Sequence, residues 1–545
     1  MKQKNPMKTR CVAWCVLFSM LTGGLTVRLY GLCTGAQLAQ AAQNQRTYTI
    51  SAGHARGTIY DCFGRPLTNA VWHRNAVVTA SPEAVAAVRA VGNSALLTQM
   101  QTGKPVQTAD WPLPAVAGTA VFSVPERYDS TPIAPHIIGY IDGDGHGVCG
   151  VEQAYDALLT ACSGTVTVRY RADAWGRALT GDPIETTDTV ARAAGGVVLT
   201  IDRDLQRIAE QAASSLGTGA VVIQEVSTGK LRAAASAPTF DPRAVGDALN
   251  RPDSPLVNRA LAEYNVGSVF KLVAACAAAE SGDTDLSIDC TGTMTYGAHT
   301  FRCIGGTAHG AVDLSRGIAV SCNCYFIRLL DRIGAAPVHR LAQRMGFGQP
   351  LWLTSTLVSG SVLPPLRDLS APAALANFSF GQGELLASPV QVASMIQCIA
   401  NNGYRIAPSL VECTVRSDGV RESSAENHAE RVISARSAAL VRDDMIAAVT
   451  SGTAVQACPS AGGAGAKTAT AETGWIQNGK SVIQAWCAGF VPAESPQYVI
   501  VVFAENGRSG SAKCAPVFRQ VANGIWSTVN RDNSPPDCVL SGGNG

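Results

Sequence analysis

The chain has 545 residues, a formal net charge of +2 and 15% charged residues. That length holds two or three domains with cores of their own. No acidic or basic tail argues for a nucleic-acid partner.

Lys2, Lys4, Lys8 and Arg10 precede an apolar run from Cys11 to Val27, which resumes after Arg28 and continues to Leu32. Taken through Leu32 the run is long enough to cross a bilayer as a helix, with Arg28 snorkelling to the interface. The basic flank predicts an N-terminus inside and the remainder outside. A cleaved signal peptide is the alternative. The run is long for one, and Arg28 stands where a cleavage region would begin, so residues 1–32 read as a tail and anchor. Leu32 also occupies the place before Cys33 where lipidation needs a small residue.

The cysteine count, 17, is odd, and many cysteines sit in apolar surroundings such as AACAA and WCAGF. Buried free thiols acting as small hydrophobes account for most of them. Cys290 and Cys303 bracket a turn-rich segment and are the best disulfide candidates.

Residues 33–195 form a second region. Gln37 to Gln45 reads as a helical lead-in, and ARGTIYDCFGRPL (Ala55 to Leu67) as strand, Gly64 turn, strand. GDGHGVCG, from Gly143 to Gly150, lacks the strand-to-helix context of a phosphate loop and reads as a plain loop.

Residues 196–530 form the third region. A short strand from Val197 leads to a helix capped near Asp202. Strands follow at Ala220–Val226 and Leu231–Ser236, then a helical stretch from Val312 to about Gln343. Strands at Ser481–Val491 and Tyr498–Ala504 precede a closing helix around Pro516–Val529. Strands at both ends with helices between predict an α+β domain, one antiparallel sheet covered by helices. Residues 531–545 are rich in Pro, Gly and Ser and read as a loose tail.

The chemistry centres on YNVGSVFKLVAACAAAE, Tyr264 to Glu280. After Gly267 it reads as a helix starting near Ser268, which puts Ser268 and Lys271 on one face. A serine hydroxyl needs a base, and a lysine amine serves only when neutral. Free lysine titrates near ~10.4, so burial or a second cation must depress it. A helix N-terminus adds to that field. The spacing alone is weak: Ser227 and Lys230 share it, between two apolar runs where they read as a hairpin turn.

Ser321 and Asn323, two apart, suit a short loop in which the hydroxyl relays a proton and the amide holds a carbonyl. The same pair is also ordinary helix-capping vocabulary. Lys467, Thr468 and Thr470 alternate with small residues before Trp475, as on an edge strand lining a cleft. Lys467 would anchor an anionic terminus and help keep Lys271 neutral. Ala466, where a P-loop needs glycine, excludes nucleotide binding there. The eight histidines show no ligand spacing, so neither a metal nor an organic cofactor is expected.

Ser-x-x-Lys, Ser-x-Asn and Lys-Thr-x, in that order, form the motif set of penicillin-binding proteins and class A β-lactamases. The chain resembles the class B penicillin-binding proteins. RGTIYDCFGRPL, GVEQAYDALL, LTIDRDLQ, the TGK turn with SAPTFDP, SFGQGELLASPVQVA with ANNG, and WCAGFVP all look like blocks of that family, from residue 56 to about 492. The resemblance implies a penicillin-sensitive peptidoglycan D,D-transpeptidase on the penicillin-binding fold, with an elongated membrane-proximal pedestal. Ser268 would attack the penultimate D-Ala carbonyl and Lys271 would be its base. Ser321 and Asn323 would relay the proton and bind the substrate amide, and Lys467 with Thr468 would hold the terminal carboxylate. The N–H groups of Ser268 and Thr470 would form the oxyanion hole. Implied partners are stem peptides, β-lactams and a SEDS-family glycan polymerase contacted by the anchor and the Arg56–Leu67 region. Two departures stand out: Ala469 where the family has glycine, facing substrate, and Cys62-Phe63 for Arg-Asn. A β-lactamase, a D,D-carboxypeptidase and a non-catalytic scaffold stay open as alternatives.

Overall fold

The computed structural model describes residues 6–34, 46–179, 181–425, 427–477 and 480–532. The expected lead-in Gln37–Gln45, the basic residues Lys2 and Lys4, and the tail from residue 533 lie outside them. Pro6–Thr34 is one helix, and its Met7–Thr34 portion is long and apolar enough to cross a membrane. Thr22, Thr26 and Thr34 each donate to the carbonyl four residues back, so their hydroxyls would enter an apolar phase already bonded.

The chain divides into two compact units. The smaller takes Met1–Ala55, Val71–Glu126 and Ser163–Ala191. Beyond the N-terminal helix it holds two three-stranded antiparallel sheets. One orders Thr47–Ala55, Gly164–Arg171 and Glu185–Asp188. The other orders Val106–Thr108, Val71–Val78 and Thr119–Glu126. Val78, Val88, Leu96, Met100 and Trp111 pack together beneath the second.

The larger unit is Arg56–Ala70, Arg127–Cys162 and Arg192–Gly545. A cut near residue 195 therefore matches only the last crossing; Arg56–Ala70 and Arg127–Cys162 belong with the C-terminal residues. Ion pairs tie these two segments together, and Arg65 reaches on to Asp202 at 3.1 Å in the C-terminal part. Fully buried Glu152 accepts from Arg56 Nε at 3.0 Å and pairs with Arg127 at 2.6 Å, while Arg56 also reaches Asp156 at 2.6 Å. Asp61, also fully buried, holds Arg65 at 2.6 Å and takes the N–H groups of Phe63 and Arg65 around the Gly64 turn. Only the first half of that segment is a strand, Thr58–Tyr60; the return is a single bridge from Tyr60 to Pro66.

Five antiparallel strands make the central sheet, in the order Leu231–Ala237, Gly219–Glu225, Tyr498–Ala504, Lys480–Val491, Gly465–Gln477. Both faces are buried. Val222, Val501, Phe503 and Trp486 point into a core shared with the Lys271–Ser281 and Pro389–Ala400 helices. Val221, Ile500, Val502 and Cys487 point into a second core, with the Arg203–Ser214 and Ala515–Asp532 helices. The expected sheet covered by helices is the fold observed, and Asp202 caps its helix as predicted, accepting from the N–H groups of Asp204 and Leu205.

One expected element is broken. The stretch from Val312 is three helices, Leu314–Ala319, Asn323–Ile333 and Ala335–Arg344. The first break turns at Ser321, whose φ of +58° is left-handed, and the second at Gly334.

Candidate active site

Ser268 lies in a tight 3-10 turn, Gly267–Phe270, and the α-helix starts only at Lys271. The expected helix start at Ser268 is thus one turn early. Gly267 explains the tighter turn: its φ is +60°, and a Cβ there would stand 3.0 Å from the Ala471 methyl and 3.4 Å from the Ala469 methyl. Only glycine combines that backbone with so close an approach to the edge strand. Gly267 N–H donates to the Gly381 carbonyl at 2.8 Å, so the SFGQG segment braces the same turn. Trp486 Nε1 donates to the Asn265 carbonyl at 2.9 Å and fixes the approach to it.

Lys271 is fully buried. Its Nζ donates to the Ser321 carbonyl at 2.8 Å and to Asn323 Oδ1 at 2.6 Å, with Ser321 Oγ at 3.3 Å. The Phe326 ring lies 5.5 Å away. Burial pushes the amine down to about 7, against the pull of the sulfur atoms of Cys322, Cys303 and Cys324. A neutral amine has two hydrogens, which the two carbonyl-type oxygens take, leaving its lone pair free to accept a hydroxyl proton. The left-handed backbone at Ser321 is what turns both its carbonyl and its hydroxyl toward Lys271. Asn323 Nδ2 donates to the Arg302 carbonyl at 2.8 Å, which sets the amide so that its oxygen faces the lysine.

Ser268 is 7% exposed, and its Oγ takes part in no hydrogen bond among the described residues. The structure therefore joins Lys271 to the Ser321–Asn323 loop, not to the serine. Lys467 is also fully buried; its Nζ donates to the Thr468 carbonyl at 2.9 Å. Burial, with the charge of Lys271 adding to it, pushes the Lys467 amine well below the ordinary lysine range. The expected cation thus sits where burial opposes its charge, and an arriving anion would favour that charge. Thr468 Oγ1 bonds to Thr453 Oγ1 at 2.9 Å, and Thr470 Oγ1 accepts from the Gly510 N–H at 3.2 Å.

Ala469 departs from its expected place. It is 2% exposed, pairs with Trp486 across the sheet, and belongs to the core beside the Gly267 turn. Its methyl therefore faces protein rather than an open cleft. Ser227 and Lys230 sit in the turn between the two strands as predicted, with Lys230 paired to Glu412 at 2.7 Å. Cys290 and Cys303 are free thiols, their sulfur atoms 3.8 Å apart, so the suggested disulfide is absent. Of the Arg56–Leu67 segment, Arg56 and Asp61 are internal, while Phe63 is 68% exposed.

Residues 219–523 match the family model described as the penicillin binding protein transpeptidase domain. Penicillin-binding protein PbpB of Mycolicibacterium smegmatis is 30% identical over 461 residues, covering 77% of this chain and 69% of the relative. Peptidoglycan D,D-transpeptidase PbpA of the same organism is 30% identical over 407 residues, covering 69% and 79%. Among solved structures, penicillin-binding protein 3 of Mycobacterium tuberculosis complexed with ampicillin superposes with a TM-score of 0.64 at 26% identity, over 90% of this chain and 98% of that one. The chain belongs to the class B penicillin-binding proteins.

Proposed function

We propose that this protein is a serine-type peptidoglycan D,D-transpeptidase, with Ser268 as nucleophile and Lys271 as the base of acylation. The observation that carries the reading is the buried Lys271 amine, pushed down to about 7 and held by Ser321 and Asn323. Ser268 Oγ attacks the penultimate D-Ala carbonyl of a stem peptide and loses its proton to the Lys271 lone pair. Ser321 returns a proton to the leaving D-Ala amine, and an acceptor amine then resolves the acyl-enzyme. Lys467 and Thr468 bind the terminal carboxylate, whose charge favours protonation of the buried Lys467. Thr470, beside them on the edge strand, lends its N–H with that of Ser268 to the oxyanion. β-Lactams acylate the same serine. Family membership and the names of the relatives support this reading.

The N-terminal helix anchors the chain once in the cytoplasmic membrane, N-terminus inside, with the catalytic unit outside, as the basic flank favours. A SEDS-family polymerase supplies the glycan, and the exposed Phe63, not the internal Arg56 or Asp61, belongs to the contact. Phe63→Ser should weaken co-purification with such a polymerase while sparing penicillin labelling; unchanged co-purification removes that contact. The activity itself is tested with the detergent-solubilised full chain, a synthetic stem pentapeptide and an acceptor amine. D-Ala release coupled to a cross-linked product supports transpeptidation. Release with hydrolysis alone supports a carboxypeptidase, and rapid turnover of penicillin a β-lactamase.

A further inference from the structure

Cys290, Cys303, His309 and Cys322 each direct one ligand atom into a common space in which all four atoms lie within 4.8 Å of one another. The three cysteines are buried, at 2%, 2% and 0% exposure. Three of the six separations match the edges of a metal tetrahedron. With zinc–sulfur bonds of ~2.3 Å and zinc–nitrogen bonds of ~2.0–2.1 Å, the edges are about 3.8 Å between sulfurs and about 3.6 Å from sulfur to nitrogen. Cys290 to Cys303 is 3.8 Å, Cys303 to Cys322 is 3.8 Å, and Cys290 Sγ to His309 Nδ1 is 3.5 Å. A disulfide would instead bring one pair to ~2.05 Å and leave the third thiol and the imidazole idle.

Local structure builds the group deliberately. Strand Ile288–Cys290 pairs with Gly310–Val312, and the His309 N–H donates to the Cys290 carbonyl at 2.9 Å, placing these two ligands side by side. The hairpin Thr293–Tyr296 and His299–Arg302 returns the chain so that the Cys303 N–H meets the Gly292 carbonyl at 3.0 Å. Cys322 is the N-cap of the Asn323–Ile333 helix, and its sulfur accepts the Tyr325 N–H at 3.4 Å, which fixes where the sulfur points. Cys324 lies behind Cys303, 3.7 Å away, as an additional thiol.

We propose that Cys290, Cys303, His309 and Cys322 bind one zinc ion that clamps the Ser321–Asn323 loop to the neighbouring hairpin. Three thiolates and an imidazole suit zinc, and four protein ligands leave no open position, so the ion is structural. Binding releases the three thiol protons to solvent and needs no oxidant. Cys322 lies between the two residues that hold Lys271, and Asn323 bonds to the carbonyl of Arg302, next to Cys303. The ion thereby positions the partners of the base without touching substrate.

The test uses the full chain purified in detergent without reductant. Elemental analysis should find one zinc per chain, and the zinc-stripped chain loaded with Co(II) should show the visible bands of tetrahedral thiolate-coordinated cobalt. Cys303→Ser and His309→Ala should lose the zinc, whereas Cys458→Ser, at an exposed thiol, should keep it. Stripping should lower penicillin acylation about tenfold or more, and added zinc should restore it. A chain without zinc whose peptide map shows a disulfide among these cysteines would overturn the site, as would failure of the reduced chain to take up Co(II). Stoichiometric zinc whose removal leaves acylation unchanged would overturn the clamping role.

Discussion

Lowering the pH should switch off acylation through one group, Lys271. Burial holds its amine at about 7, so at pH ~7.5 about three-quarters of the chains carry the neutral base; an ordinary lysine at ~10.4 would be neutral in about one chain in a thousand. The structure thus supplies about six hundredfold more base at pH ~7.5. The second-order acylation rate with a fluorescent penicillin, followed by stopped flow from about pH 5 to 9, should be level above about 7 and fall tenfold per pH unit below it. Lys271→Arg, which keeps a charge but not a titratable amine, should lose acylation at every pH. Linkage gives a second observable. The unfolded chain keeps the ordinary lysine value, so between about 7 and ~10.4 it binds more protons than the folded chain at this group. The contribution of Lys271 to stability therefore rises with pH across that window and is lost as pH falls to about 7. A flat rate profile, or one climbing tenfold per unit to pH ~9, would refute the assignment of Lys271 as a base depressed by burial.

Gly267→Ala should lower acylation by about tenfold or more, because a left-handed alanine costs ~1–2 kcal/mol and its Cβ would press on Ala471 at 3.0 Å; a rate equal to wild type would show that the turn tolerates a side chain. Ala469→Gly removes a methyl packed in the core, worth ~0.8 kcal/mol. It should lower the melting temperature slightly while changing acylation by less than about tenfold, and a gain of several hundredfold would mean the methyl blocks substrate. Arg56→Ala leaves buried Glu152 with half its counter-charge and should cost ~3–5 kcal/mol, read as a lower melting temperature accompanied by loss of penicillin labelling. An unchanged melting temperature would contradict the internal role given to that arginine.

What was legible in the chain followed from local rules. The strands Ala220–Val226 and Tyr498–Ala504 announce themselves as short apolar runs, because both faces of the sheet are covered and no alternation with polar residues interrupts them. Asp202 marks its helix by capping chemistry, and the three motifs mark the site by residue type and order. The features that stayed hidden depend on long-range contact. Ser321 and Asn323 suit a short loop, yet the periodic run around them reads as one helix, because the left-handed backbone that breaks it is held by contacts with Lys271 far off in sequence. Glu152 lies 96 residues from Arg56, so RGTIYD alone suggests a strand and a turn but not a buried ion pair. His309 is invisible to ligand-spacing rules because its companions arrive from a strand, a hairpin end and a helix cap at unequal intervals. An edge strand suggests an open side and so puts the Ala469 methyl in the cleft, yet that face packs on the Gly267 turn.

The central claim is that Ser268 is the nucleophile served by Lys271, and its most direct measurement is the site of the covalent penicillin adduct. The full chain, incubated with penicillin, digested and analysed by tandem mass spectrometry, should carry the penicilloyl group on the peptide containing Ser268, at that serine. Ser268→Ala should carry none, and Ser227→Ala should label as wild type. An adduct on Ser321, Ser227 or any other residue, or no adduct on the folded chain, would contradict the account.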